Sequence, residues 1–306
     1  MISRRTVHLL LFASPALFGA GLEWVDGLGG RIERDAAGDV TAVHLGRTWV
    51  GDTELLDLAR LPKLARLDLS HTRITDEGLL HLKSATQIQD LNLYYAEQIT
   101  DQGMNAIKGW KNLKRLNVRG TRISDGTLAI VGTVTGLESL DVAYTQITDN
   151  GLDALVPLTQ LRELCLGRSK LSDNALEVLR LMTTLQYLDL GGPHPGPGGK
   201  RETGGAPLPD AVPRALSGLK ELRVLKLAYS RITADGLRFL SSLDKVEKLA
   251  LEGCGLVDDR ALAELAQWKS LKYLDVQATK VTPQGVAALE KARPGIVILS
   301  GPFPTP

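Results

Sequence analysis

The chain has 306 residues, of which 43% are apolar and 23% charged, enough apolar material for a sizeable core and too much for bulk disorder. A net charge of +1 gives no general pull toward nucleic acid or membranes, and two cysteines cannot build a disulfide framework or a multi-cysteine metal site. Aromatic residues are scarce, at 5%, so their placement carries information.

Residues 1–20 differ from the rest. Arg4 and Arg5 precede an apolar run from Val7 to Phe18, and small residues follow at Gly19-Ala20. This pattern predicts an export signal too short for a stable membrane span, and hence a periplasmic or extracellular protein. Ser3-Arg4-Arg5 resembles a twin-arginine signal. The alternative is the apolar N-terminal helix of a cytoplasmic protein.

Residues 21–39 read as an N-terminal cap. Leu22, Trp24, Val25 and Leu28 fit a short amphipathic helix ended by Gly29-Gly30, and Ile32–Asp35 with Val40–Leu45 fit a hairpin.

From Val40 to Leu299 the chain repeats itself. Equivalent apolar residues fall at Val40, Leu64, Ile88, Leu113, Leu137, Leu161, Leu185, Leu222, Val246 and Leu271, mostly 24 or 25 residues apart, with one spacing of 37. Each unit carries L-x-L, which alternates as a short strand does, then Thr/Ser-Asp to cap a helix, then G-L-x-x-L at helical spacing. One strand and one short helix cannot bury both apolar faces alone, but stacked coils can.

Leu67-Asp68-Leu69-Ser70-His71-Thr72-Arg73-Ile74-Thr75-Asp76-Glu77-Gly78-Leu79 resembles the leucine-rich repeat family, and within it the cysteine-containing subclass with I-T-D-x-G-L. The resemblance implies an α/β fold: a right-handed leucine-rich repeat solenoid, or horseshoe, with a parallel sheet on the concave face, short helices on the convex face and about ten repeats. Thr48, Thr72, Thr121, Thr145, Ser169, Ser230, Cys254 and Thr279 stand where such families place asparagine or cysteine, and are expected to satisfy turn backbone. Trp110 and Trp268 occupy an apolar core position.

A Gly/Pro-rich insertion, residues 191–207, holds seven glycines and four prolines. It is expected to be a mobile surface loop, or alternatively a flap over the concave face. Residues 300–306 form a Pro-rich tail that cannot extend the sheet. The capped ends suggest a monomer.

The sheet face should present rows of residues. The central row runs His44, Asp68, Asn92, Asn117, Asp141, Cys165, Asp189, Lys226, Ala250, Asp275. All six tyrosines fall in this row, the row two residues earlier, or the two positions after each strand. Tyrosine and arginine dominate interface hot spots, so Tyr94, Tyr95, Arg119, Tyr144, Arg168, Tyr187 and Tyr229 are the expected partner-binding residues.

Chemistry finds little support. His44, His71 and Asp68 lie on neighbouring coils without metal-site spacing. Cys165 sits between two aspartates that disfavour its thiolate. No phosphate loop and no G-x-S-x-G motif is present. The expectation is a non-enzyme with no cofactor or metal that binds a protein or peptide on its concave face, and not nucleic acid. An extracellular glycan is the first alternative, because tyrosine faces pack on sugar rings. An adaptor similar to F-box leucine-rich repeat proteins is the second, although only about 39 residues precede the first repeat here, against a separate docking domain in that family.

Overall fold

A computed structural model describes residues 21–169, 171, 175–192 and 211–302. The expected export signal, most of the insertion and the last four residues of the tail lie outside the described residues.

The strands are β1 (Arg31–Arg34), β2 (Val40–His44), β3 (Arg66–Asp68), β4 (Asp90–Asn92), β5 (Arg115–Asn117), β6 (Ser139–Asp141), β7 (Glu163–Cys165), β8 (Tyr187–Asp189), β9 (Val224–Lys226), β10 (Lys248–Ala250), β11 (Tyr273–Asp275) and β12 (Val297–Leu299). They form one open 12-stranded sheet in chain order. Only β1 is antiparallel; β2 to β12 pair in parallel. Short helical segments return the chain between the parallel strands. Ten coils, beginning at β2 and ending with β11, therefore stack into a leucine-rich repeat solenoid, and β12 adds a half-coil.

The register is the one the repeat dictates. Leu67, Leu91, Leu116, Leu140, Leu164, Leu188, Leu225, Leu249 and Leu274 align across the sheet and are buried. Trp110 and Trp268 are buried as expected.

Most of the hydroxyl row satisfies turn backbone as expected, but the buried Ser169 hydroxyl has no hydrogen-bond partner among the described residues. Thr48, Thr72, Thr121 and Thr145 are buried, and each donates to the carbonyl three residues earlier, as Thr72 Oγ1 does to Leu69 O at 2.7 Å. Cys254 Sγ reaches the preceding coil instead, 3.2 Å from Leu227 O. Ala96 interrupts the row in the third coil.

The T-D-x-G part of the motif does more than cap. Thr75, Thr148, Thr233 and Thr282 are N-caps whose side chains accept from helix N–H groups. The aspartate points the other way, into the next coil. Asp52 accepts from the Thr75 N–H at 2.8 Å and its hydroxyl at 2.6 Å. Asp76 does the same with Thr100, Asp125 with Thr148 and Asp259 with Thr282. The glycine leaves room for this carboxylate: a Cβ on Gly78 would fall 2.2 Å from Asp52 Oδ1, and one on Gly103 2.4 Å from Asp76 Oδ1. In the fourth coil Thr127 replaces the glycine and donates its own hydroxyl to Asp101.

The two ends differ. At the N-terminus the helix Glu23–Gly27 and the charged antiparallel strand β1 cover the first coil. At the other end β12 leaves Val297 54% and Leu299 38% exposed, so this edge is covered less fully than a cap requires. Among the described residues no helix is long and apolar enough to cross a membrane.

Candidate functional site

The central row falls on the concave face in the expected order, from His44 beside Asp68 to Ala250 beside Asp275. The chain then turns at the third residue past each strand. This turn takes a left-handed backbone, with φ of 64° at Arg47, 53° at His71, 52° at Tyr95, 59° at Tyr144, 61° at Arg168, 57° at Tyr229 and 52° at the small Ala278. Gly120 and Gly253 occupy the same position with φ of 71° and 70°. Glycine adopts this conformation freely; a bulky side chain there is strained by about 1–2 kcal/mol.

Coil-to-coil hydrogen bonds hold the strain. The N–H of His71 donates to Tyr94 O at 2.7 Å, that of Tyr95 to Arg119 O at 2.8 Å, and that of Tyr144 to Gly167 O at 2.9 Å. Two of the large residues also rest on glycine neighbours. The Tyr95 ring covers Gly120 and the Tyr229 ring covers Gly253, where an added Cβ would fall 2.8 Å and 2.3 Å from ring carbons.

Five of the seven expected residues meet in one cluster. Tyr94 and Tyr95 pack edge to face at 4.7 Å, and Tyr95 reaches Tyr144 at 6.4 Å. The guanidinium groups of Arg119 and Arg168 lie over the Tyr144 ring at 5.1 Å and 4.7 Å. Arg119 also pairs with Asp141 at 3.1 Å and approaches Asp189 at 4.0 Å, which fixes its head in place. Tyr187 belongs to a second group, with the Lys226 ammonium 5.4 Å from its ring centre. Tyr229 sits beside Glu252. All seven are half-buried rather than freely exposed.

His71 is the member that sequence reasoning left out. It stacks on Tyr95 at 5.5 Å with the rings 7° from parallel, and meets Tyr94 edge-on at 5.0 Å. Its signal was positional, since it holds the same place in its coil as Tyr95, Tyr144 and Arg168. His44 is engaged elsewhere, 3.0 Å from Glu33 Oε1. Among the described residues no group of His, Cys, Asp and Glu could hold a metal ion.

Beside the cluster lies a depression of about 420 Å³, lined by Asp90, Asn92, Arg115, Asn117, Ser139, Asp141, Glu163, Cys165 and Tyr187. Burial raises the Asp141 carboxyl despite the opposing pull of Arg119. Burial, then Asp141 and Asp189, pushes the Cys165 thiol up to about 12, the reverse of what a nucleophile needs. Burial and the adjacent Glu252 push the Tyr229 phenol up to about 12, and burial raises Glu252 itself. Cys165 and Cys254 are both free thiols.

Residues 60–82 and 135–156 match the model of the family described as Leucine Rich repeat. No curated protein sequence matches the chain. Among solved structures, an internalin from Listeria monocytogenes is 18% identical with a TM-score of 0.54, over 92% of this chain and 94% of that one. A Leptospira interrogans leucine-rich repeat protein is 18% identical with a TM-score of 0.52, over 79% of this chain and 62% of that one, so the match spans less than two thirds of that protein. The ectodomain of the Arabidopsis receptor kinase HAESA, solved with a peptide hormone ligand, is 21% identical with a TM-score of 0.52, over 82% of this chain and 40% of that one. The repeat register, the open parallel sheet and these likenesses agree that the chain folds as a leucine-rich repeat solenoid.

Proposed function

We propose that this protein is a non-enzymatic recognition module that binds a protein or peptide at the edge of its concave face, through His71, Tyr94, Tyr95, Tyr144, Arg119 and Arg168. One observation carries the reading: bulky residues hold left-handed backbone at the turn where Gly120 and Gly253 avoid the strain. Folding alone gives no reason to retain large side chains there, and strain of this kind clusters at binding sites. Half-buried tyrosines offer large area at low entropy cost, and their rings are already ordered by one another.

The peptide-bound ectodomain of HAESA supports a peptide-sized partner. That an ectodomain shares the fold is compatible with export of this chain, which mass analysis of the mature N-terminus tests. The aspartate–threonine–glycine interlock supports assignment to the I-T-D-x-G-L subclass.

Affinity capture with the wild-type protein beside the Tyr95→Ala/Tyr144→Ala variant tests the proposal. A partner retained by the first and lost by the second, with both proteins folded, is the expected result. Equal retention removes the cluster from the binding site.

A further inference from the structure

The depression beside the aromatic cluster spans β4 to β8, and nearly every carboxylate in or next to it has a cation. Asp90 is paired with Arg115 at 3.0 Å and Asp141 with Arg119 at 3.1 Å. Asp189, the cross-strand neighbour of Cys165, lies 4.0 Å from Arg119 and opposite Lys226 on β9. Lys226 in turn bonds the Tyr187 hydroxyl. Glu163 is the exception. It lines the depression, is exposed, and makes no ion pair among the described residues. Its side chain accepts from the neutral Ser139 hydroxyl at 2.8 Å. In its own row Arg115 is two strands away and already committed to Asp90.

A glutamate without a cation costs little while water fills the depression. A partner that covers it removes that water, and a carboxylate shielded from water without a counter-charge is strongly unfavourable. The covering residue must therefore bring a positive charge. The space suits one long side chain, at about 420 Å³. Asp141 lies diagonally across from Glu163, one strand and two residues away, or about 8 Å. A cation between them meets both carboxylates. Burial raises Asp141 even with Arg119 beside it, so it too gains from a second positive neighbour. Asn117 spends its side-chain oxygen on the Arg119 N–H at 3.1 Å and keeps its amide N–H groups for a peptide carbonyl.

We propose that this depression is the subsite for an arginine or lysine side chain of the bound peptide, held between Glu163 and Asp141. The subsite rests on the peptide recognition proposed for the neighbouring tyrosines and adds the chemistry required at one position of the ligand. An acidic side chain there would meet Asp90, Asp141 and Glu163 and be repelled. A neutral one would leave Glu163 covered and unmatched.

The probe is a displayed library of random short peptides. It is selected on the wild-type protein, on Glu163→Gln, on Tyr95→Ala/Tyr144→Ala and on Glu290→Gln, which removes the same charge from the last helix. Glutamine at 163 keeps an acceptor for Ser139, and circular dichroism confirms that each variant folds. Peptides enriched by the wild type and by Glu290→Gln should share a basic residue at one fixed position, a preference that Glu163→Gln loses. Replacing that residue with a neutral isostere, citrulline for arginine or norleucine for lysine, should weaken binding to the wild type about tenfold or more and weaken binding to Glu163→Gln little. Enrichment without a fixed basic residue, or an equal loss on both proteins, would overturn the subsite and leave peptide recognition by the tyrosines intact. No enrichment beyond that of the tyrosine double variant would overturn both.

Discussion

Tyr95 and Gly120 form a matched pair across neighbouring coils: both have left-handed backbone, and the tyrosine ring lies where a side chain at 120 would be, 2.8 Å from its Cβ position. Gly120→Ala therefore combines backbone strain with a clash. Urea unfolding should show a loss of about 1–3 kcal/mol, and the displaced Tyr95 ring should weaken partner binding as well.

Tyr144→Gly should separate binding from stability. The substitution removes the ring held between Arg119 and Arg168, yet it relieves strain at φ 59° and keeps the N–H bond to Gly167. Relief of about 1–2 kcal/mol offsets the entropy that glycine loses on folding, so the melting temperature should barely move while the partner is lost.

The interlock between coils predicts coupled mutational effects. Asp76→Ala strands the Thr100 N–H and hydroxyl, at a cost of about 1–3 kcal/mol. Gly103→Ala pushes a Cβ against the same carboxylate. In a double-mutant cycle read by urea unfolding, Gly103→Ala should be less harmful in the Asp76→Ala background than in the wild type.

The pH dependence of stability has opposing contributions, of which Asp101 and Glu252 are examples. Burial would raise Asp101, but hydrogen bonds from Ser124 and Thr127 outweigh it and hold the carboxyl below its ordinary range. Its contribution is complete above the unfolded pKa of about 3.9 and is lost as pH falls through the lower folded value. Glu252 is raised by burial, so its contribution is complete below about 4.3 and is lost as pH rises through the folded value. Glu252→Gln should accordingly stabilise the protein at pH 7 and give no gain near pH 4, as measured by thermal melts across that range.

Cys165 should resist alkylation. With its thiol pushed up to about 12, iodoacetamide at pH 8 should modify it far more slowly in the native protein than in urea, as read by mass spectrometry.

Much of this arrangement was legible in the sequence because the repeat converts sequence position into place. Once Leu67 and Leu91 are seen as equivalent, the rows containing Asp68, Asn92 and Asn117 follow, and the strand pairings agree with them. The T-D capping signal was legible for the same reason. The second role of Asp76 was not, because a capping aspartate and one turned into the next coil have the same local sequence, and only the contact with Thr100 and Gly103 distinguishes them. The left-handed turn was hidden by its occupants. Tyrosine, histidine and arginine do not announce positive φ as glycine does, although Gly120 and Gly253 at the same position gave a hint. His71 is hidden because a histidine beside His44 and Asp68 suits a metal ligand in sequence as readily as an aromatic ring in line with Tyr95.

The most direct measurement is isothermal titration of the captured partner against the wild-type protein and Tyr144→Gly, with the melting temperature of each recorded alongside. A loss of about tenfold or more in affinity at nearly unchanged melting temperature is the predicted result. Undiminished affinity would show that the strained aromatic turn serves folding and not recognition.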